Sequence, residues 1–147
     1  MSITLEELET ALGTNGLIIK TQAQNVSYED SEWMGDDIVL VPGQMYKIKV
    51  NNGCNFTLNS SPASDVTVTF TIKQGSNWFG YTGPEMSIED ALNGFSPVEG
   101  DVIKTATGNT TLEDGEWIGD FENLQPGQGY IYVSRDPEEK TITFPSY

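Results

Sequence analysis

Two stretches of this chain are nearly the same. Residues 32–46 read "EWMGDDIVLVPGQMY", and residues 116–130 read "EWIGDFENLQPGQGY", 84 positions later. Extended to residues 20–46 and 104–130, the alignment needs no gap, and 14 of its 27 positions are identical. A repeat of this kind restricts the architecture more than any other feature, because both copies must adopt the same supersecondary unit. The expected fold is mainly β (β-rich α+β), built from two pseudo-repeats of a small β-sheet unit, each with one short helix. The first unit takes residues 1–59 and the second residues 77–147, with a linker over 60–76 that holds a strand at 66–72.

The local signals agree between the copies. "TLEELETALG" opens the first unit with Thr4 and Glu7 placed as a capping box and Gly13 as the stop. "SIEDALNG" does the same in the second, with Ser87 as N-cap and Gly94 as terminator. A strand follows, "LIIKT" or "DVIKT", and then a hairpin whose turn is the acidic "EDSE" or "EDGE". A Pro-Gly turn leads into a final strand. In "MYKIKV" the residues Tyr46, Ile48 and Val50 alternate with Lys47 and Lys49, so one face is expected to be buried and the other wet. Asn52-Gly53 is a hairpin signal that returns the chain as "CNFTL". The matching strand of the second unit, "YIYVS", has Ile131 and Val133 in place of the lysines. Its second face therefore needs a cover, either the other unit or a partner protein.

Composition bounds the chemistry. The chain has 147 residues, 22 acidic against 7 basic, and a net charge of −15. Such a charge opposes nucleic acid and anionic membrane. It serves solubility, or a cation site or basic partner. No stretch approaches the roughly 20 apolar residues of a membrane span. The segment "MSITLEELETAL" lacks the basic and apolar regions of a signal peptide. Either the protein stays where it is made or Met1 opens a piece of something longer. Cys54 is the sole cysteine, so no disulfide forms within the chain, and no basic neighbour in sequence activates its thiol. There is no histidine, which removes the commonest general base and nearly every zinc arrangement. No cofactor-binding motif is present.

The second unit, from "NWFGYTGPEMSIEDALNGFSPVEGDVIKTATG" to "EDGEWIGDFENLQPGQGYIYVS", resembles a module recurring in secreted and surface proteins of Bacteroidetes and other bacteria. The shared pattern is a W-N-W-x-x-Y strand, a helix with "AL", then GDxIK, WxGxL and LxPGxGY. The first unit resembles it from its helix onward but has no W-N-W strand, no "EGD" before "IIK", and Met45 where the pattern has Gly. The resemblance implies a non-catalytic module accompanying adhesion, repeat or carbohydrate-active domains.

Residues present in both copies are most simply explained by the shared fold; residues unique to one copy are better functional candidates. The candidate binding aromatics are Trp33, Trp117, Trp78, Tyr81 and Tyr132, which could pack in cores or stack on sugars. Weak calcium candidates are Asp30, Glu32 and Asp36, with Asp114, Glu116 and Asp120 in the second copy. Their symmetry opposes a glycosidase pair, which needs two different carboxylate roles. The function expected is a structural or adhesion module of an extracellular or surface assembly, without enzymatic activity. The alternatives are a phage fibre or decoration protein and a carbohydrate-binding module using exposed aromatics. Partners are other domains of that assembly or glycans. Two structural expectations complete the reading. "NWFGY" forms a strand of the second unit, and "VTVTFTI" covers the open edge of the first, making the chain a self-sufficient monomer.

Overall fold

The computed structural model describes residues 3–55 and 68–144. The first unit opens with helix α1 (Leu5–Leu12). Its capping box is formed: the Glu7 amide donates to Thr4 Oγ1 at 3.2 Å and the Thr4 amide donates to the Glu7 carboxylate at 2.8 Å. Leu8 and Leu12, four apart and so on one stripe, are the buried residues of the helix. Gly13, at φ 55°, ends it. Strands β1 (Gly16–Lys20), β2 (Asn25–Glu29), β3 (Glu32–Gly35) and β4 (Lys47–Val50) follow, and pair antiparallel in the order β3-β2-β1-β4.

Next come β5 (Val68–Ile72), β6 (Gly75–Gly80), β7 (Met86–Ser87) and the short helix α2 (Ile88–Ala91), capped by the Ser87 hydroxyl. Strands β8 (Val102–Lys104), β9 (Asn109–Glu113), β10 (Glu116–Gly119), β11 (Asn123–Leu124), β12 (Gly129–Ser134) and β13 (Lys140–Phe144) complete the described chain. The larger sheet runs β10-β9-β8-β12-β6. Its register matches the first sheet at the repeat offset: Ile19 lies opposite Val26 and Ile48, and Ile103 lies opposite Thr110 and Tyr132. The protein is mainly β, with two short α-helices among the described residues.

The repeated motifs have local physical causes. In the hairpin tips both central residues are left-handed, Asp30 and Ser31 at φ 50° and 70°, Asp114 and Gly115 at 52° and 81°. That is the two-residue turn whose twist suits flanking strands. In the P-G-Q-x-Y motif the tyrosine folds back. The hydroxyl of Tyr46 accepts from the Val41 amide, and that of Tyr130 from the Gln125 amide, each at 2.8 Å. Each tyrosine thereby locks the turn that precedes it.

As expected, "NWFGY" supplies a strand: β6 pairs with β12 and delivers Phe79, with Tyr81 just beyond it, to the second core. The linker strand behaves otherwise. β5 pairs with β13, not with the first unit, and residues 66–67 lie outside the described region. Phe70 packs on Phe79 and Phe144 at 5.9 and 5.8 Å, and Ile72 joins the same aromatic core. Apolar alternation announced the strand, but this aromatic surface chose its partner. The first sheet therefore keeps β4 at its edge among the described residues. The expected burial of Ile48 fails for that reason. It is 37 % exposed, whereas its equivalent Tyr132, flanked by β6, is 1 % exposed. Of the "CNFTL" return, Cys54 and Asn55 are not in a strand, and residues 56–58 lie outside the described region.

Candidate functional site

A groove of about 1120 Å³ lies where the two units face each other. One wall is the face of β1 and β4 that carries Ile18, Lys20, Lys47 and Lys49, with Lys20 directly opposite Lys47 and Ile18 opposite Lys49. The other wall comes from β8 and β12, where Lys104 lies opposite Ile131. Equivalent residues of the two units line it together: Lys20 and Lys104, Lys47 and Ile131, Met45 and Gly129. The apolar second face of "YIYVS" is thus turned, through Ile131, toward the other unit.

Three contacts hold the walls together. The Gln22 side chain donates from Nε2 to the Ser76 carbonyl at 2.6 Å and accepts at Oε1 from the Trp78 amide at 2.8 Å. It caps the edge of β6 that faces away from β12 as one peptide unit of a neighbouring strand would. The Gly80 amide donates to the Gly43 carbonyl at 2.7 Å. Lys47 Nζ lies 4.3 Å from the centre of the Trp78 ring, within cation–π range. Met45, the departure from the repeat pattern, fills space that Gly129 leaves open: a Cβ at Gly129 would fall 2.5 Å from Met45 Cγ.

The electrostatics of the groove oppose those of the molecule. Four of the seven basic residues line it, and among the described residues no acidic one does. The ion pairs among the described residues, Lys73–Glu139 and Lys140–Asp136, lie elsewhere. The Lys140 ammonium bonded to Asp136, together with the Glu138 amide, holds that carboxyl below its usual range.

The aromatic candidates divide. Tyr81 is fully buried, its hydroxyl donating to the Pro84 carbonyl at 2.6 Å. Tyr132 is buried too, donating to Asp101 Oδ2 at 2.5 Å. Neither ring has a free face for a sugar, because β6 and the β5–β13 ribbon close over this core; both are structural. Burial first, then the hydrogen bond and negative charge of Asp101, push the Tyr132 phenol far above its usual range. Burial likewise raises Tyr46 and Tyr130, against an amide donor at each hydroxyl. Trp33 and Trp117 are half-buried at equivalent strand positions. Trp33 packs 5.3 Å from Tyr28 and over Gly16, and Trp117 lies 6.2 Å edge-on to Tyr132. Trp78 borders the contact between the units, its ring under Lys47 and its amide bonded to Gln22.

The calcium candidates do not converge. Asp30, Glu32, Asp114 and Glu116 are exposed at the two hairpin tips. Asp36 and Asp120 each accept an amide hydrogen bond at 2.9 Å, from Asn25 and Asn109, and so close their own hairpins. Among the described residues no three acidic, histidine or cysteine side chains are grouped to hold a metal. No helix there is long and apolar enough to cross a membrane. Cys54 is exposed beside the Asn15 amide.

Gln22, Lys20 and Lys104 are the residues that sequence reasoning passed over. The two lysines are identical in the repeat and so were assigned to the fold; nothing local marks Gln22. Comparison of the chain with protein-family models, with curated proteins and with solved structures finds no match.

Proposed function

We propose that this chain is a non-catalytic adhesion and structural module of a larger extracellular or cell-surface assembly, with the groove between its units as the recognition surface. One observation carries the reading: a strongly acidic molecule places four of its seven basic residues in one groove and, among the described residues, no acidic one there. Charge sorted against the molecular average is how a surface selects a partner. The fate of the polar groups elsewhere supports the same reading. Asp101, the buried carboxylate of the described chain, accepts hydrogen bonds from Tyr132, Val98 and Arg135, and is engaged in holding turns together. The resemblance of the second unit to a surface-protein module points the same way. Sugar recognition through exposed aromatics receives less support, since Tyr81 and Tyr132 are core residues.

The test is retention without turnover. The purified chain, immobilised and challenged with panels of surface polysaccharides and proteins, is expected to retain a ligand and release it chemically intact on raising salt. New reducing ends or new amino termini that vanish on changing a single carboxylate would overturn the reading.

A further inference from the structure

The lysines of the groove are arranged at a cost to the fold. Lys20 and Lys47 face each other across the β1–β4 ladder, and like charges directly opposite in a sheet are destabilising. A single acidic neighbour would relieve them. Yet none of the four lysines is in an ion pair among the described residues, in a chain holding 22 acidic side chains. Protection of an edge strand against aggregation accounts for Lys47 and Lys49, because β4 is outermost in its sheet. It does not account for Lys20 or Lys104, whose strands β1 and β8 are flanked on both sides.

We propose that the groove binds a linear acidic polysaccharide, bearing uronate or sulfate groups along its chain. This rests on the recognition-module reading above and names the ligand of the same site. The volume, 1120 Å³, lies above the roughly 300–1,000 Å³ of small-molecule sites, so a segment of polymer fits better than a single ring. The charges stand on both walls, three lysines on one and Lys104 on the other. A ligand must then offer anions on two sides at once, as a polyuronate does when successive rings turn over. An acidic peptide added as a strand to β4 would meet Lys47 and Lys49 but leave Lys104 unmatched. Gln128 supplies an uncharged hydrogen-bonding side chain within the groove, suited to hydroxyls. Nucleic acid is disfavoured because its dense phosphates call for a wider basic surface than four lysines in one groove.

The experiment is a titration of the intact chain, followed by calorimetry and by amide NMR shifts. The probes are oligogalacturonate, carrageenan oligomers, which bear sulfate and no uronate, neutral dextran oligomers, poly-glutamate and single-stranded DNA. One or both acidic oligosaccharides are expected to bind, with the larger response telling carboxylate from sulfate, and with shifts confined to β1, β4, β8 and the 126–129 turn. Neutral dextran is expected not to bind. Lys49→Ala with Lys104→Ala, and separately Lys20→Gln, should weaken binding at least about tenfold, as loss of charge-assisted hydrogen bonds does. Lys73→Ala, outside the groove, should leave it unchanged, and circular dichroism checks that each variant folds. Silence of both acidic glycans, or tighter binding of poly-glutamate or DNA, would overturn the ligand assignment. So would salt-sensitive self-association through the groove, with a second copy as its occupant. If protein ligands are still retained intact, the module reading survives and the polysaccharide falls. If the glycan binds and is cleaved, the ligand stands and the non-catalytic reading falls.

Discussion

Tyr132 shows how much a single side chain can be asked to do when a β unit is small. Its ring is edge-on to Phe95 and Trp117, and its hydroxyl satisfies a buried carboxylate. Ionising it in place would bury a phenolate in the core and set it against Asp101, which is why its proton is held so firmly. The unfolded chain loses that proton near the ordinary tyrosine value of about 10. Above that pH the unfolded state binds fewer protons than the folded one, so stability falls as pH rises. Below it the group makes no pH-dependent contribution. Tyr132→Phe is expected to cost about 1–2 kcal/mol at pH 8, since Asp101 keeps two amide donors but loses the third partner. From about pH 10 upward the gap between wild type and variant should narrow, by up to roughly 1.4 kcal/mol per pH unit. Urea midpoints across pH 8 to 11 check this. Tyr46 and Tyr130 titrate in both proteins and cancel. A gap that stays constant over that range would mean that Tyr132 ionises as freely in the fold as out of it.

At the scale of elements, the two Pro-Gly turns form a controlled pair. Gly43 and Gly127 occupy equivalent positions at φ 86° and 80°, so an added Cβ meets the same backbone penalty in each, about 1 kcal/mol. Their surroundings differ. A Cβ at Gly127 meets nothing within 4 Å, whereas one at Gly43 would collide with Val68 Cγ1 and come 2.8 Å from Phe70 Cζ. Overpacking adds about 1–3 kcal/mol. Thermal melts should therefore show Gly43→Ala destabilised at least about twice as much as Gly127→Ala; equal losses would place the first turn away from the β5–β13 ribbon. The same comparison explains what the sequence made readable. Capping boxes, two-residue turns and the tyrosine motif act over a few residues, so their signals stand next to one another in the chain. The strand at 68–72 was readable from its alternation, but its partner lies at 140–144, and only the aromatic core between them selects that pairing. The groove was less readable still, because Lys104 joins Lys20, Lys47 and Lys49 only when the units are laid face to face. Its one trace was the exchange of Lys47 and Lys49 for Ile131 and Val133 between otherwise matching strands.

For the molecule as a whole the question is what makes two units one body. Each has its own core, one around Ile19 and Val26, the other around Phe79 and Tyr130. Neither core crosses the contact. The joint rests on Gly43 against the ribbon, Lys47 over Trp78, and the Gln22 amide on β6. Gln22 is the specific element. The Ser76 carbonyl and the Trp78 amide are two residues apart on the edge of β6 that β12 does not use, and a primary amide offers one donor and one acceptor to match. Its equivalent in the second unit is Ala106, so the device works in one direction and lets the units differ. Gln22→Ala removes both bonds at once. Gln22→Glu keeps an acceptor for the Trp78 amide but turns a carboxylate oxygen toward the Ser76 carbonyl, where nothing donates. Each variant is expected to lose about 1–2 kcal/mol, with glutamate the worse at neutral pH. Hydrogen exchange gives the local readout. In the alanine variant the Trp78 amide should exchange at least about tenfold faster, whereas the Phe79 amide, on the β12 side, should change little. Because the same joint sets the separation of the groove walls, the alanine variant should also weaken any groove ligand while all four lysines remain in place. An unchanged Trp78 exchange rate would mean that the edge of β6 is held by something other than Gln22, and that the width of the groove does not depend on this residue.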